Sequence, residues 1–323
     1  APAAARGTVR DPWREPGAGD GEAVPELPES QTVRRASRPT AGQDFDYRRV
    51  VAVNNLAAMR MEDEEVFRET HALVLRGLAG GVIDGLRIDH PDGLRDPRQY
   101  LERLRGGAPR AWIVVEKILA ADERQPADWP VEGTTGYEFL NRLTSLYVDG
   151  AAEESLTRLY GEFTGITDSF GEIAYRSKKQ VLRNLLASDL RRLTANFVRV
   201  CEGNRHYRDF TRLAIGEVLA EFIACLQVYR TYVRPGEPVS PADRARIEGA
   251  AAEVRRRRPD LDAELIDFLV DILLGRYTGE EEANLVARLQ QTTGGARAQD
   301  DEGTASTITQ LTADRNTDAR QPG

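Results

Sequence analysis

Two short apolar stretches with a helical segment between them define the hydrophobic pattern in the first half of the chain. The apolar positions of Val82–Ile88 and of Ala111–Val115 are rich in β-branched residues, and both stretches are bounded by glycine or proline. Between them, Pro97 opens a segment with helical apolar spacing that Asp96 can cap and Gly106–Gly107 can end. This pattern predicts a strand, a helix and a strand, which is the repeating unit of a (β/α)₈ barrel of roughly 250 residues.

A carboxylate follows each predicted strand, Asp89 after the first and Glu116 after the second. Barrel enzymes build their active sites at the carboxyl ends of parallel strands, where these two residues would lie. Two carboxyl groups about 5 to 5.5 Å apart suit retaining glycosidic chemistry, with one as nucleophile and one as acid/base. Arg87 shares a strand face with Asp89 and can keep it ionised, whereas Glu116 would have to hold a proton at neutral pH. Lys117 is expected on the opposite face.

The spacing alone leaves other interpretations open. An Arg-x-Asp sequence at a strand end is often a structural ion pair, and a glutamate after an apolar run is often a solvated loop residue. A metal site is a further alternative, with possible ligands in Asp84, Asp89, His90 and Asp92. Their spacing matches no compact metal-binding loop, and Pro91 stiffens the segment. The sequence therefore predicts neither a metal nor another cofactor.

The second half of the chain has a helical pattern throughout. Helical apolar spacing occurs in Phe139–Tyr147, Glu154–Tyr160, Lys178–Leu193, Tyr207–Tyr229, Pro241–Arg257 and Leu261–Leu274. Such a run supplies no alternating strands, so residues 45–150 are assigned to a partial catalytic barrel and 151–292 to a helical subdomain. Residues 1–44 and 293–323 are predicted to be disordered or unrelated tails.

Composition excludes some partners. The net charge of −8 and the pI of about 5.2 provide no basic surface for nucleic acid or anionic lipid. No apolar run approaches the roughly 20 residues of a membrane span, and no secretory signal is present. Cys201 and Cys225 form no motif and are expected to be buried thiols in a reducing cytoplasm, and His71 is expected to be structural because it shares a helix face with Phe67.

A colinear series of motifs adds to this pattern. The motifs are Tyr47–Arg49, Asn54–Ala57, Gly85–Leu94, Val115–Leu119, Trp129–Tyr137, Phe139–Asn141, Leu159–Tyr160, Phe163–Gly165, Val228–Val233 and Arg288–Thr292. From Tyr47 to about Gln291 the chain resembles maltooligosyltrehalose synthase, a member of the α-amylase superfamily. The resemblance implies part of a TIM barrel, around its third to fifth strands, with the helical region inserted after the fifth strand.

The resemblance also implies an activity. The family converts the α-1,4 linkage at the reducing end of a maltooligosaccharide into an α,α-1,1 linkage, so that the chain ends in trehalose. Asp89 would then be the nucleophile and Glu116 the acid/base. The implied substrate is a maltooligosaccharide, and the implied pathway partner is a trehalose-releasing hydrolase.

The residues implied to bind substrate surround this pair. They are Arg87, His90, Asp92 and Lys117 next to it, and Trp129, Thr134, Thr135 and Tyr137 in the loop that follows. Aromatic rings can stack on sugar faces and threonines can bond hydroxyl groups. Alternatively, Trp129 and Tyr137 anchor the loop by packing.

The chain departs from the family pattern at both ends. Family members are much longer and supply a third, late carboxylate that no residue here matches. The sequence therefore predicts a central fragment of the family's chain, which is expected to be inactive by itself. Two alternatives remain, a non-catalytic helical remnant that binds carbohydrate or a partner, and an α-glucan hydrolase, which the Trp129–Tyr137 motif disfavours.

Overall fold

The structure is a computed structural model that describes residues 49–50, 53–120 and 122–298, with side chains for 57–120 and 122–297. The motif residues Tyr47 and Arg48 lie outside the described residues, as do the predicted tails except for 293–298. All described residues lie in one compact unit.

The described strands form two small sheets. They are β1 (Arg49–Val50), β2 (Val53–Ala57), β3 (Gly85–Ile88), β4 (Trp112–Val115) and β5 (Gly133–Thr134). Strands β1 and β2 pair antiparallel, whereas β3, β4 and β5 form a parallel sheet in that order. The parallel sheet is the one that contains both predicted strands.

Two helices accompany the parallel sheet. Helix α1 (Glu64–Ala79) precedes β3, and α2 (Pro97–Gly107) joins β3 to β4. The predicted strand, helix and strand are therefore confirmed, including the cap, because the Asp96 side chain accepts a hydrogen bond from the Gln99 amide at 3.0 Å. The parallel sheet comprises three strands in the described part of the chain.

The sheet and its helices share one apolar core. Leu101 and Leu104 of α2 and Ile113 and Val115 of β4 are fully buried, and Phe67 of α1 packs in the same cluster. The expected structural role of His71 is confirmed because its ring stacks on Phe67 and its Nε2 lies 2.8 Å from the Tyr100 hydroxyl oxygen.

The remaining described helices follow β5. They are α3 (Tyr137–Ser145), α4 (Glu153–Thr164), α5 (Phe170–Asn184), α6 (Ala187–Glu202), α7 (Arg212–Cys225), α8 (Pro241–Arg257), α9 (Ala263–Leu273) and α10 (Glu280–Ala298). Helices α5 to α10 share a large apolar core. Helices α3 and α4 bury none of their side chains, and Leu146, Tyr147 and Phe163 are strongly exposed.

Several helices differ in extent from the sequence pattern. The predicted helix over Lys178–Leu193 is wrong, because the chain turns at Leu185–Leu186 and both amides bond to the Val181 carbonyl oxygen. That turn buries Leu186 in the helical core. Helix α7 ends at Cys225 rather than Tyr229, and α10 continues through 293–298, past the predicted start of the tail.

Two arginines at the end of α8 connect this helix to its neighbours. Arg257 lies 2.6 Å from Glu172 of α5, and Arg258 lies 3.0 Å from the buried Glu221 of α7. Within the described residues, no helix is both long and apolar enough to cross a membrane.

Cys201 and Cys225 are both buried in the helical core. Burial raises the pKa of each thiol to about 12. Both thiols therefore stay protonated at neutral pH, which makes them poor nucleophiles.

Glu253 of α8 provides a test of the ion pairs at the end of this helix. Its carboxylate lies 2.6 Å from Arg256 and 2.5 Å from Arg257, and these bonds lower its pKa to about 2. We expect Glu253→Gln to lower the free energy of unfolding by about 1 kcal/mol at pH 7, after allowance for solvent screening. Since the folded-state pKa is lowered, the difference should shrink as pH falls from 4.5 towards 2. Urea unfolding at several pH values measures it, with Glu248→Gln as the matched control; an equal loss at every pH would contradict the assignment.

Candidate active site

Two neighbouring strand ends bring the predicted carboxylate pair together. Ile88 lies opposite Val115 in the parallel register of β3 and β4, and the Glu116 amide donates to the Ile88 carbonyl oxygen at 2.8 Å. The next residue of each strand is a carboxylate, so Asp89 and Glu116 lie side by side. A hydrogen bond joins their carboxyl groups.

One guanidinium contacts both carboxyl groups. Arg87 donates through Nη1 to Asp89 Oδ1 at 2.6 Å, and its Nη2 lies 3.0 Å from Glu116 Oε1. Strand periodicity predicted that Arg87 and Asp89 share a face, and this is confirmed. The contact of Arg87 with Glu116 joins two strands, so the sequence of β3 alone could not predict it.

The two carboxyl groups have opposite shifts in pKa. The hydrogen bonds from Glu116 and then Arg87 lower the pKa of Asp89, whose side chain is 71% exposed. Burial, followed by the hydrogen bond with Asp89, raises the pKa of Glu116, whose side chain is 23% exposed. The pair therefore retains a proton on Glu116 more readily than on Asp89, which is the division of labour that a nucleophile and an acid/base require.

His90 connects the end of β3 to Glu116 through its main chain. Its backbone is left-handed, with φ of 45° and ψ of 53°, and its amide donates to Glu116 Oε2 at 3.2 Å. The imidazole lies edge-on to Tyr229, with ring centroids 6.0 Å apart. Gly93 is needed there because a Cβ at that position would lie 2.4 Å from the imidazole Cδ2.

Lys117 lies on the opposite face from the carboxylate pair, as expected, where it contacts Asp92. Both side chains are buried, and the Lys117 ammonium lies 3.3 Å from Asp92 Oδ2 and 2.8 Å from Glu123 Oε1. Lys117 is also enclosed by the rings of Tyr229 and Tyr232. The predicted sugar contacts of Asp92 and Lys117 are corrected to a structural ion pair under the loop, because neither side chain is open to a ligand.

The loop from Trp129 to Tyr137 has mixed roles. Trp129 is buried and packs edge-on against Tyr232, so the anchor interpretation holds for it and the predicted stacking on sugar does not. Tyr137 is exposed and close enough to act electrostatically on Arg87. Thr134 donates to Glu138 at 2.6 Å, whereas the buried hydroxyl of Thr135 has no partner among the described residues.

A polar cleft of about 370 Å³ adjoins His90, and the sequence did not predict it. Its polar walls come from α6 and α10, with Asp189, Arg192, Asn196 and Arg199 on α6 and Asn284, Arg288, Gln291 and Thr292 on α10. Within each helix most of these polar residues are three or four positions apart, which places them on one face. Which two faces would meet depended on the tertiary fold.

Metal ligands do not gather in the described part of the chain, where no group of three or more His, Cys, Asp or Glu side chains could hold an ion. Adjacent carboxyl groups with opposite pKa shifts at parallel strand ends are typical of enzymes that act on glycosidic bonds.

Comparison with known proteins identifies which enzymes of this kind the chain resembles. No family model matches the chain. A putative maltooligosyl trehalose synthase from Mycobacterium tuberculosis is 43% identical over 156 residues, which are 46% of this chain and 19% of that protein. The structure of maltooligosyltrehalose synthase from Arthrobacter ramosus is 36% identical, with a TM-score of 0.69, and covers 80% of this chain.

A further solved structure, a hypothetical maltooligosyl trehalose synthase from Sulfolobus tokodaii, is 30% identical, with a TM-score of 0.58 over 79% of this chain. The resemblance predicted from the motifs is confirmed: the chain is similar to one part of the maltooligosyltrehalose synthases. It spans about a fifth of the Mycobacterium tuberculosis protein and 31% of the Arthrobacter ramosus chain.

Arg87 offers a direct test of the carboxylate pair. We expect Arg87→Gln to raise the pKa of both Asp89 and Glu116, because the guanidinium favours the ionised form of each. Carbon-13 NMR titration of the carboxyl groups measures both values. Arg76→Gln, in the last turn of α1, is the matched control. Titrations that are identical in the wild-type chain and Arg87→Gln would contradict the electrostatic role of Arg87.

Proposed function

We propose that the chain carries two reacting groups of an intramolecular glucosyl transfer, which turns the reducing-end α-1,4 linkage of a maltooligosaccharide into an α,α-1,1 linkage. The observation that supports this best is the Asp89–Glu116 pair, joined by Arg87 and divided in pKa. The similarity to maltooligosyltrehalose synthases supports the substrate class. We further propose that β3, β4 and β5 are part of a (β/α)₈ barrel, since their connections and parallel order fit one.

The first half of the proposed reaction breaks the α-1,4 bond. The Asp89 carboxylate attacks the anomeric carbon, and the bond from that carbon to the departing glucose oxygen breaks. Glu116 gives its proton to this oxygen, so the glucose leaves as a neutral molecule. The products of this step are a covalent glycosyl ester on Asp89 and an ionised Glu116, which Arg87 stabilises at 3.0 Å.

The second half makes the new bond. The released glucose turns in place, and Glu116 takes the proton from its anomeric hydroxyl group. That oxygen attacks the anomeric carbon of the ester and displaces Asp89, so two inversions give net retention. Water must be kept from the ester, and a bound glucose has a large effective concentration over solvent.

The cleft beside His90 is the proposed site for the rest of the maltooligosaccharide. Amide and guanidinium groups such as those of Asn196, Arg192 and Gln291 can bond sugar hydroxyls. On the other side of the pair, the exposed Tyr137 is proposed to contact the reacting sugars. Arg87 would contact substrate while it holds the carboxylates.

The chemistry of the product implies a partner reaction. A maltooligosaccharide that ends in an α,α-1,1 linkage still carries its trehalose unit covalently. We propose that a hydrolase acts next in the pathway, cutting the α-1,4 bond next to that unit to release trehalose.

A non-catalytic role in carbohydrate binding is the second candidate. The exposed apolar faces of α3 and α4 favour this role. Among the described residues that act on Asp89 and Glu116, no third carboxylate is found, which also favours it. Under this proposal the cleft binds maltooligosaccharide but the chain alone does not turn it over. An α-glucan hydrolase differs from both in releasing free glucose.

A chimera separates these functions. Residues 57–297 replace the aligned part of the Arthrobacter ramosus enzyme, which supplies the remaining structure, and the chimera is incubated with maltopentaose. We expect reducing ends to disappear without release of glucose. Asp89→Asn and Glu116→Gln should each slow this by about a thousandfold, since they remove the nucleophile and the acid/base.

The controls are Asp84→Asn and Glu69→Gln, two exposed acids outside the strand ends, which should leave the rate unchanged. Release of glucose in place of rearrangement would show a hydrolase. A folded chimera that does neither would favour the non-catalytic role, and activity that survives Asp89→Asn or Glu116→Gln would exclude the proposed assignments.

The cleft can be tested in the chain as it stands. We expect Asn196→Ala to weaken the binding of maltopentaose by about tenfold, which corresponds to roughly 1.4 kcal/mol for a lost hydrogen bond. Isothermal titration calorimetry measures the dissociation constant. Asn204→Ala, just beyond the end of α6, is the control, and an unchanged constant in Asn196→Ala would exclude this cleft as the binding site.

A further inference from the structure

A buried arginine from the helical region contacts the loop that follows β3. After α7 the chain leaves the helix, and the segment Tyr229–Val233, which we call the α7 connector, runs beneath that loop. Arg230 and Thr231 of the connector are both almost completely buried. A guanidinium removed from water in this way has to satisfy its donors within the protein.

The donors of Arg230 are satisfied by main-chain oxygens. Its Nη1 donates to the Asp92 carbonyl oxygen at 2.7 Å and to that of Leu94, and its Nη2 donates to that of Arg95 at 2.9 Å. These acceptors lie within four residues of the chain, directly after the left-handed residue His90. Arg230 therefore fixes the path of the loop and not the position of one side chain.

Side-chain contacts hold the same loop from below. The Tyr232 hydroxyl donates to Asp92 Oδ1, and the buried Lys117 ammonium lies 3.3 Å from Asp92 Oδ2. Tyr232 belongs to the connector and Lys117 follows β4. The loop is thus attached to both the helical region and the sheet.

The position of this loop decides where the His90 amide points. A left-handed backbone is strained for a residue with a side chain, so the surroundings of His90 have to keep it there. Held in that conformation, it donates to Glu116 Oε2 at 3.2 Å. We propose that Arg230 is a positioning residue for Glu116, acting through the loop carbonyls and the His90 amide; this inference rests on the acid/base role proposed for Glu116.

Loss of this positioning would show in the acidity of Glu116. Arg87, Asp89 and His90, all at the end of β3, are the groups that act on it, and Lys117 of β4 is engaged with Asp92 and Glu123. Burial and Asp89 raise the pKa of Glu116, whereas the His90 amide and Arg87 lower it. If the His90 amide moves away, one of the two groups that lower the pKa of Glu116 is lost, so this pKa should rise further.

The experiment uses the full chain and needs no catalytic activity. We expect Arg230→Gln to raise the pKa of Glu116. Carbon-13 NMR titration measures this pKa, and Glu116→Gln identifies which carboxyl signal belongs to Glu116. The same variant should speed hydrogen exchange of the His90 amide by about tenfold or more, because the loop opens locally. Arg230→Lys retains the charge but has fewer directed donors. It should therefore change the pKa of Glu116 and the exchange of the His90 amide less than Arg230→Gln does.

The matched control is Arg234→Gln. Arg234 directly follows the α7 connector, and it binds Asp96 and Glu237 rather than the loop carbonyls. The control variant should leave the Glu116 titration and His90 exchange unchanged. A folded Arg230→Gln chain, judged by circular dichroism, in which both readouts match the wild type would overturn the proposal.

If neither Arg230 variant folds, Tyr232→Phe decides the matter. It keeps the ring and removes only the hydroxyl that holds Asp92, so a smaller change in the same direction is expected, and no change would again overturn the proposal. Since both readouts belong to the free chain, an inactive chimera would contradict the proposed function without affecting this inference. Conversely, an active chimera with an unchanged Glu116 titration in Arg230→Gln would contradict only the positioning role.

Discussion

The parallel pairing of two four-residue strands is the constraint on which the site depends. Ile88 opposite Val115 places the next residues, Asp89 and Glu116, at one edge. A shift of one residue in this register would place one carboxylate opposite a strand residue and break the contact of Arg87 with both. The register is fixed from inside, because Ile113 and Val115 are fully buried under α1 and α2. Gly85 also pairs so closely with Trp112 that a Cβ would lie 2.5 Å from its carbonyl oxygen.

The opposite pKa shifts follow from unequal exposure under one shared cation. Arg87 contacts both carboxyl groups, so it alone would favour ionisation of both. The difference comes from the burial of Glu116 and from the hydrogen bond between the two carboxyl groups, which lowers the pKa of the more exposed Asp89. The acid with less water around it retains the proton, which also relieves the repulsion that two adjacent carboxylates would suffer.

The buried polar groups beneath the loop connect this edge to the helical region. Arg230, Asp92 and Lys117 are removed from water, and with the partly buried Tyr232 they bond to one another or to main-chain oxygens. Breaking such a network leaves an uncompensated buried charge, which typically costs about 3–5 kcal/mol. The loop that this network holds follows His90, and His90 itself lines the polar cleft.

Local periodicity in the sequence determined much of the sheet edge that carries Asp89 and Glu116. The strands, the capped helix between them, the shared face of Arg87 and Asp89 and the structural role of His71 all follow from residues within a few positions of one another. The tertiary structure decided what depends on distant neighbours. Asp92, Lys117 and Trp129 look like ligand contacts along the chain, but residues from the α7 connector, more than 90 positions away, bury them. The turn at Leu185–Leu186, the cleft between α6 and α10 and the hold of Arg230 on the loop arise in the same way, because burial is a property of the packed chain and no local pattern records it.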